Sequence, residues 1–113
     1  MINTANHIAT LNTSTFEEHV TQSSKPCMVL FKANWSGNAH LQESVLTNLQ
    51  KEYAHLINFF SLDIEQSNKV ATKFNVAVVP TLLLFQKKNL EAYLPGLCSQ
   101  NDLEGILKQL LVD

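Results

Sequence analysis

Two apolar runs constrain this chain more than any other feature: Cys27 to Ala33, interrupted only by Lys32, and Thr81-Leu82-Leu83-Leu84-Phe85, which follows Pro80. A strand without polar alternation has no face to give to water, so each run fits a strand covered on both sides by other elements. Between them lies a helical pattern from about Asn38 to Tyr53, in which Leu41, Val45, Leu49 and Tyr53 recur every four residues with Leu46 and Leu56 beside them. That spacing predicts one apolar face, with Gln42, Glu43, Gln50, Lys51 and Glu52 left in water.

The remaining elements follow from the same periods and from breaker residues. His7 to Leu11 is a short strand candidate. Ser14 or Thr15 can cap a helix with a glutamate three positions on, and that helix runs to about Gln22, before Pro26, because the residue ahead of a proline resists the helical region. Ile57 to Ile64 reads as a strand and Gln66 to Phe74 as a short helix. Lys87-Lys88-Asn89 turns the chain into Leu90 to Leu94, which makes an antiparallel hairpin with the run after Pro80. Gln100 to Val112 carries Leu103, Ile106, Leu107, Leu110 and Leu111 on one stripe. The order βαβαβαββα predicts an α/β fold in a single domain, residues 1–113, with a mixed central sheet and helices on both faces.

All 8 basic residues are lysines set against 10 acids, and no lysine-rich run occurs, so neither a nucleic acid nor an acidic lipid surface meets an electrostatic footprint. Met1 to His7 lacks the charged and apolar regions of a secretion signal, and no apolar run approaches the roughly 20 residues of a membrane span. The expectation is a cytoplasmic protein without a membrane or nucleic-acid partner. Cys27 and Cys98 match no Cys-x-x-Cys, zinc or haem spacing. Cys27 opens a buried strand pattern and Cys98 lies in a turn after Pro95-Gly96-Leu97; both read first as inert thiols, since reactivity requires a shifted pKa. His7, His19 and His55 show no metal-ligand spacing, and no metal or cofactor is expected.

The first apolar run ends at Trp35-Ser36-Gly37-Asn38-Ala39, where the long helix opens. Ser36 has two readings. Its hydroxyl can cap the helix, as serine does at such positions, or His40 one turn on can activate it as a nucleophile. No orienting carboxylate or oxyanion hole is assignable, which favours the cap.

Three segments in order resemble the thioredoxin family across nearly the whole chain. Phe31-Lys32-Ala33-Asn34-Trp35-Ser36-Gly37 looks like the strand end and active-site turn, Val79-Pro80-Thr81-Leu82-Leu83-Leu84-Phe85 like the segment with the family's cis-proline, and Pro95-Gly96 like its glycine beside the active site. The resemblance implies a thioredoxin fold and a cis bond before Pro80. It also exposes what is missing. Ser36 and Ala39 stand where the family's Trp-Cys-Gly-Pro-Cys carries two thiols, one attacking a disulfide and the other resolving the mixed intermediate. Leu30 and Ser61 replace the family's buried acid and buried lysine, and Lys32 stands where a second large aromatic is common. A buried carboxylate is destabilising without a partner or a task, so its loss is consistent with a chain whose thiols no longer exchange protons.

What the resemblance implies is therefore a redox-inert relative with no catalytic residue. It would retain protein or extended-peptide binding in a groove of Trp35, Gly37, Val79, Pro80 and Gly96. The alternative is an oxidoreductase or redox-homeostasis protein using a displaced single thiol, with Cys98 beside Gly96 as the better candidate. Without a neighbouring resolving cysteine it would need an external thiol for turnover.

Overall fold

The computed structural model describes residues 8–111; the readings that rest on Met1 to His7 and on Val112 lie outside the described residues. The elements in chain order are β1 (Ala9–Leu11), α1 (Thr13–Phe16, wound on as a π-helical segment over Glu17–Thr21), β2 (Cys27–Lys32), α2 (Gly37–Tyr53), β3 (Asn58–Asp63), α3 (Asn68–Lys73), β4 (Thr81–Gln86), β5 (Asn89–Pro95) and α4 (Gln100–Leu111). They form one mixed sheet in the order β1-β3-β2-β4-β5, with β1, β3 and β2 parallel, β4 antiparallel to β2, and β5 antiparallel to β4. This is the α/β architecture that the element order predicts.

The two central apolar runs are buried on both faces. Met28 and Leu30 of β2 join Leu82 and Leu84 of β4 in a core with Leu46, Leu49 and Tyr53 of α2 and Leu103 and Leu107 of α4. Val29, Phe31, Leu83 and Phe85 point the other way, into a core with Phe16 and Val20 of α1 and Val70 and Ala71 of α3. Each fully buried leucine contributes about 2 kcal/mol by its removal from water, so an alternating polar residue in either strand would forfeit one of the layers.

Three local expectations need correction. The cap of α1 is Asn12, not Ser14 or Thr15: its Oδ1 accepts from Ser14 N at 2.9 Å and Thr15 N at 3.0 Å, while Asn12 N donates to Thr15 Oγ1 at 2.9 Å. Asn12 satisfies two otherwise orphaned N–H groups one residue before the helix, which leaves the hydroxyls of the first turn to close the box. The hairpin turn uses two residues, since Gln86 pairs with Asn89, and Lys87 and Lys88 adopt φ of 53° and 74°. Positive φ at both central positions is what the twist of a two-residue hairpin demands. Finally, α2 is rotated relative to the expected stripe. Its buried positions are Ala39, Gln42, Leu46, Leu49 and Tyr53, whereas Leu41 is 57% exposed and Leu56 lies exposed beyond the helix. Gln42 enters the core because partners await its amide there, described below.

Candidate functional site

Strand register gathers the segments singled out from sequence. Phe31 at the end of β2 lies opposite Thr81 at the start of β4, and Thr81 lies opposite Pro95 at the end of β5. The turn after β2, the Val79-Pro80 segment before β4 and Gly96 after β5 therefore leave the sheet at the same end. Val79-Pro80 is a cis peptide, and Gly96 donates its N–H to Pro80 O at 2.8 Å. Gly96 holds φ at 87°, a conformation that side chains with a Cβ rarely adopt. Gly37 starts α2, and a Cβ built on it would meet open space.

At the mouth of this region Trp35 is 66% exposed. Its indole Nε1 donates to Glu65 Oε2 at 2.9 Å, so the ring's one polar atom is satisfied within the chain and a large apolar surface stays in water. Glu65 is itself set by buried Asp63, whose Oδ1 accepts from Glu65 N at 2.8 Å. Sequence reasoning missed Glu65, which lies 30 positions from its partner; an acid just past the end of β3 was the available signal. Val79 is half-buried and Val78 exposed beside Pro80, which is buried. Among the described residues, none hydrogen-bonds the backbone N–H or C=O of Val79.

Ser36 is the N-cap of α2, its Oγ accepting from Ala39 N at 3.1 Å. His40 turns elsewhere: its Nε2 lies 3.0 Å from Asn34 O, and because a carbonyl only accepts, that nitrogen carries the proton. The structure does not join Ser36 and His40 as nucleophile and base. Leu30 and Ser61 are fully buried and lie side by side in the register of β2 and β3, where Ser61 Oγ shares a hydrogen bond with Thr10 Oγ1 at 3.3 Å. Lys32 Nζ donates to Glu43 Oε1 at 3.0 Å, which places an ion pair where the resemblance leads one to expect an aromatic ring.

Neither thiol is primed for attack. Burial pushes the Cys27 thiol up, outweighing nearby hydrogen bonds and Lys25; burial and then the Asp102 carboxylate push the Cys98 thiol up as well. A raised pKa leaves little thiolate at neutral pH. Cys98 is held by its backbone, however, and by a residue expected in water. Gln42 Nε2 donates to Cys98 O at 3.0 Å, and Cys98 N donates to Gln42 Oε1 at 2.7 Å. Among the described residues, no group of three or more His, Cys, Asp or Glu could hold a metal ion, and no helix is long and apolar enough to cross a membrane.

The comparisons with known proteins agree with this geometry. Residues 7–109 match the thioredoxin family model. The thioredoxin of Pseudomonas aeruginosa is 29% identical over 101 residues, 89% of this chain and 94% of that protein. The thioredoxin of Acidithiobacillus ferridurans is 32% identical over 96 residues, 85% of this chain and 89% of its own. A chloroplastic M-type thioredoxin of Spinacia oleracea is 30% identical over 101 residues, and the chain spans only 56% of that longer relative. The chain belongs to the thioredoxin family. Within it, Ser36 and Ala39 occupy the two positions at which the resemblance places thiols.

Proposed function

We propose that this chain is a redox-inert thioredoxin-like module that holds an extended peptide or protein segment without covalent bonding. The groove is that of Trp35, Gly37, Val79, Pro80 and Gly96. The observation that carries the reading is the presence, at one end of the sheet, of an exposed indole, its nitrogen already satisfied, and of a Val79 backbone that no described residue hydrogen-bonds. An extended peptide can complete the Val79 N–H and C=O as a strand would, and lay an apolar side chain on the indole. Each backbone bond adds about 1 kcal/mol and a central aromatic anchor about 2 kcal/mol or more.

The reading has a direct test. Peptides selected from a random displayed library against the wild-type chain, with dithiothreitol in excess throughout, should bind as extended segments and shift the amide resonances of Val79 and Gly96. Selection that yields binders only without reductant would contradict non-covalent capture. The nearness of Cys98 to Gly96 supports the second reading, a single-thiol oxidoreductase. Its raised thiol weighs against it. In an insulin-reduction assay with a thioredoxin-type reductant, wild type and Cys98→Ser should both match the reductant alone; catalysis by wild type that Cys98→Ser abolishes would establish the single-thiol function instead.

A further inference from the structure

The buried stripe of α2 runs Ala39, Gln42, Leu46, Leu49, Tyr53, and Gln42 is its one amide, completely removed from solvent. A buried amide needs partners for both ends. Gln42 finds them on a single residue, gripping the C=O and N–H of Cys98 at 3.0 and 2.7 Å across 56 positions of sequence. Two bonds to one residue fix its position and its rotation. Two residues earlier, Gly96 N–H holds Pro80 O at 2.8 Å, and at the other end of the same helical segment Ser36 caps α2 beside Trp35. Trp35, α2, Cys98, Gly96 and Pro80 are thus joined by one chain of bonds, in which Gln42 is the link between the helix and the Gly96 segment.

We infer that Gln42 is a positioning residue for that groove. It sets the Gly96–Ser99 segment against α2, so the Gly96 wall stands at a fixed distance from Trp35 before a peptide arrives. The coupling to binding rests on the proposed function, but the grip itself does not. It has a built-in reporter. Half-buried Cys98 lines an open groove of about 500 Å³ with Leu41, Val45 and Leu97, which a small reagent can enter.

Gln42→Leu keeps the volume and leaves both Cys98 backbone groups unpartnered. The Cys98 amide should exchange with solvent deuterium at least about tenfold faster than in wild type, and a dipyridyl disulfide should label Cys98 at least about tenfold faster, with peptide mapping to separate it from buried Cys27. Selected peptides should bind about tenfold more weakly. Gln42→Glu separates grip from volume. Protonated, its carboxyl donates to Cys98 O and accepts from Cys98 N as the amide does; ionised, it sets a second oxygen against the carbonyl. Burial raises the carboxyl pKa in the folded variant above its unfolded value of about 4.3, so the grip is complete below that value and is lost as pH rises through the folded pKa. Normalised to wild type at each pH, the variant should match wild type in acid and Gln42→Leu at neutral pH. In a role of packing alone, Gln42→Leu would match wild type at every pH, since it introduces no charge.

Wild-type rates in Gln42→Leu, or a Gln42→Glu variant without a pH step, would overturn the grip. Faster exchange with peptide affinity unchanged would overturn its coupling to the groove. If wild type binds no peptide at all, the groove reading fails, while the ligand-free exchange rates still decide the grip. Should Gln42→Leu not fold, Gln42→Met, which is uncharged and also lacks both hydrogen-bonding groups, carries the same comparison.

Discussion

Leu30→Asp should cost about 4 kcal/mol of stability at neutral pH, most of what a domain at the low end of ordinary stability has. Leu30 is fully buried at the centre of the sheet, between Ser61 of β3 and Leu82 of β4 in register, so a carboxylate there finds neither water nor a cation. The melting temperature should fall by about 15 °C or more. The sign with pH is fixed. A buried carboxyl titrates above its unfolded value of about 3.9, so the variant is least handicapped below that pH and loses further stability as pH rises toward the folded pKa. Adding Ser61→Lys should return only part of the loss, because two charges must then leave water for one favourable contact. Urea titrations at acid and neutral pH would show this; midpoints unaffected by Leu30→Asp would mean that the interior tolerates the acid and that its absence says nothing about the missing thiols.

Reinstalling Ser36→Cys together with Ala39→Cys should take insulin reduction from undetectable to measurable, yet about a hundredfold short of an ordinary thioredoxin. Ser36 Oγ already accepts the Ala39 N–H at the start of α2, so a sulfur in its place meets the positive end of the helix, which favours a thiolate. What is missing is proton transfer. Leu30 and Ser61 supply no titrating group, and general acid and base groups commonly account for factors of a hundred or more. A double variant as fast as an ordinary thioredoxin would contradict the view that buried pair and cysteines form one functional unit.

Local chemistry made much of this molecule readable in advance. The runs in β2 and β4 state their two-sided burial in their own composition, and Ser36 announces a cap because the N–H group it satisfies lies within one helical turn. What was hidden is long-range. Nothing near Gln42 reveals that Cys98, 56 positions away, offers both backbone groups to it, so a polar residue reads as solvated and the apolar Leu41 as core. Glu65 is hidden for the same reason, since its partner Trp35 comes from another turn. The Asn12 cap is not legible in sequence because two hydroxyls with glutamates at the right spacing compete for it, and only the backbone conformation before the helix decides between them.

The most direct measurement of the central claim pairs affinity with stability in Trp35→Ala. A selected peptide is titrated calorimetrically against wild type and variant under reductant, and both proteins are melted. Trp35 is 66% exposed and its indole hydrogen-bonds Glu65 alone among the described residues, so its removal takes little from the core. The account predicts a melting temperature within a few degrees of wild type and an affinity at least about thirtyfold weaker, the 2 kcal/mol or more that a central aromatic anchor commonly carries. Equal affinity in Trp35→Ala would place the peptide elsewhere on the molecule and contradict the account.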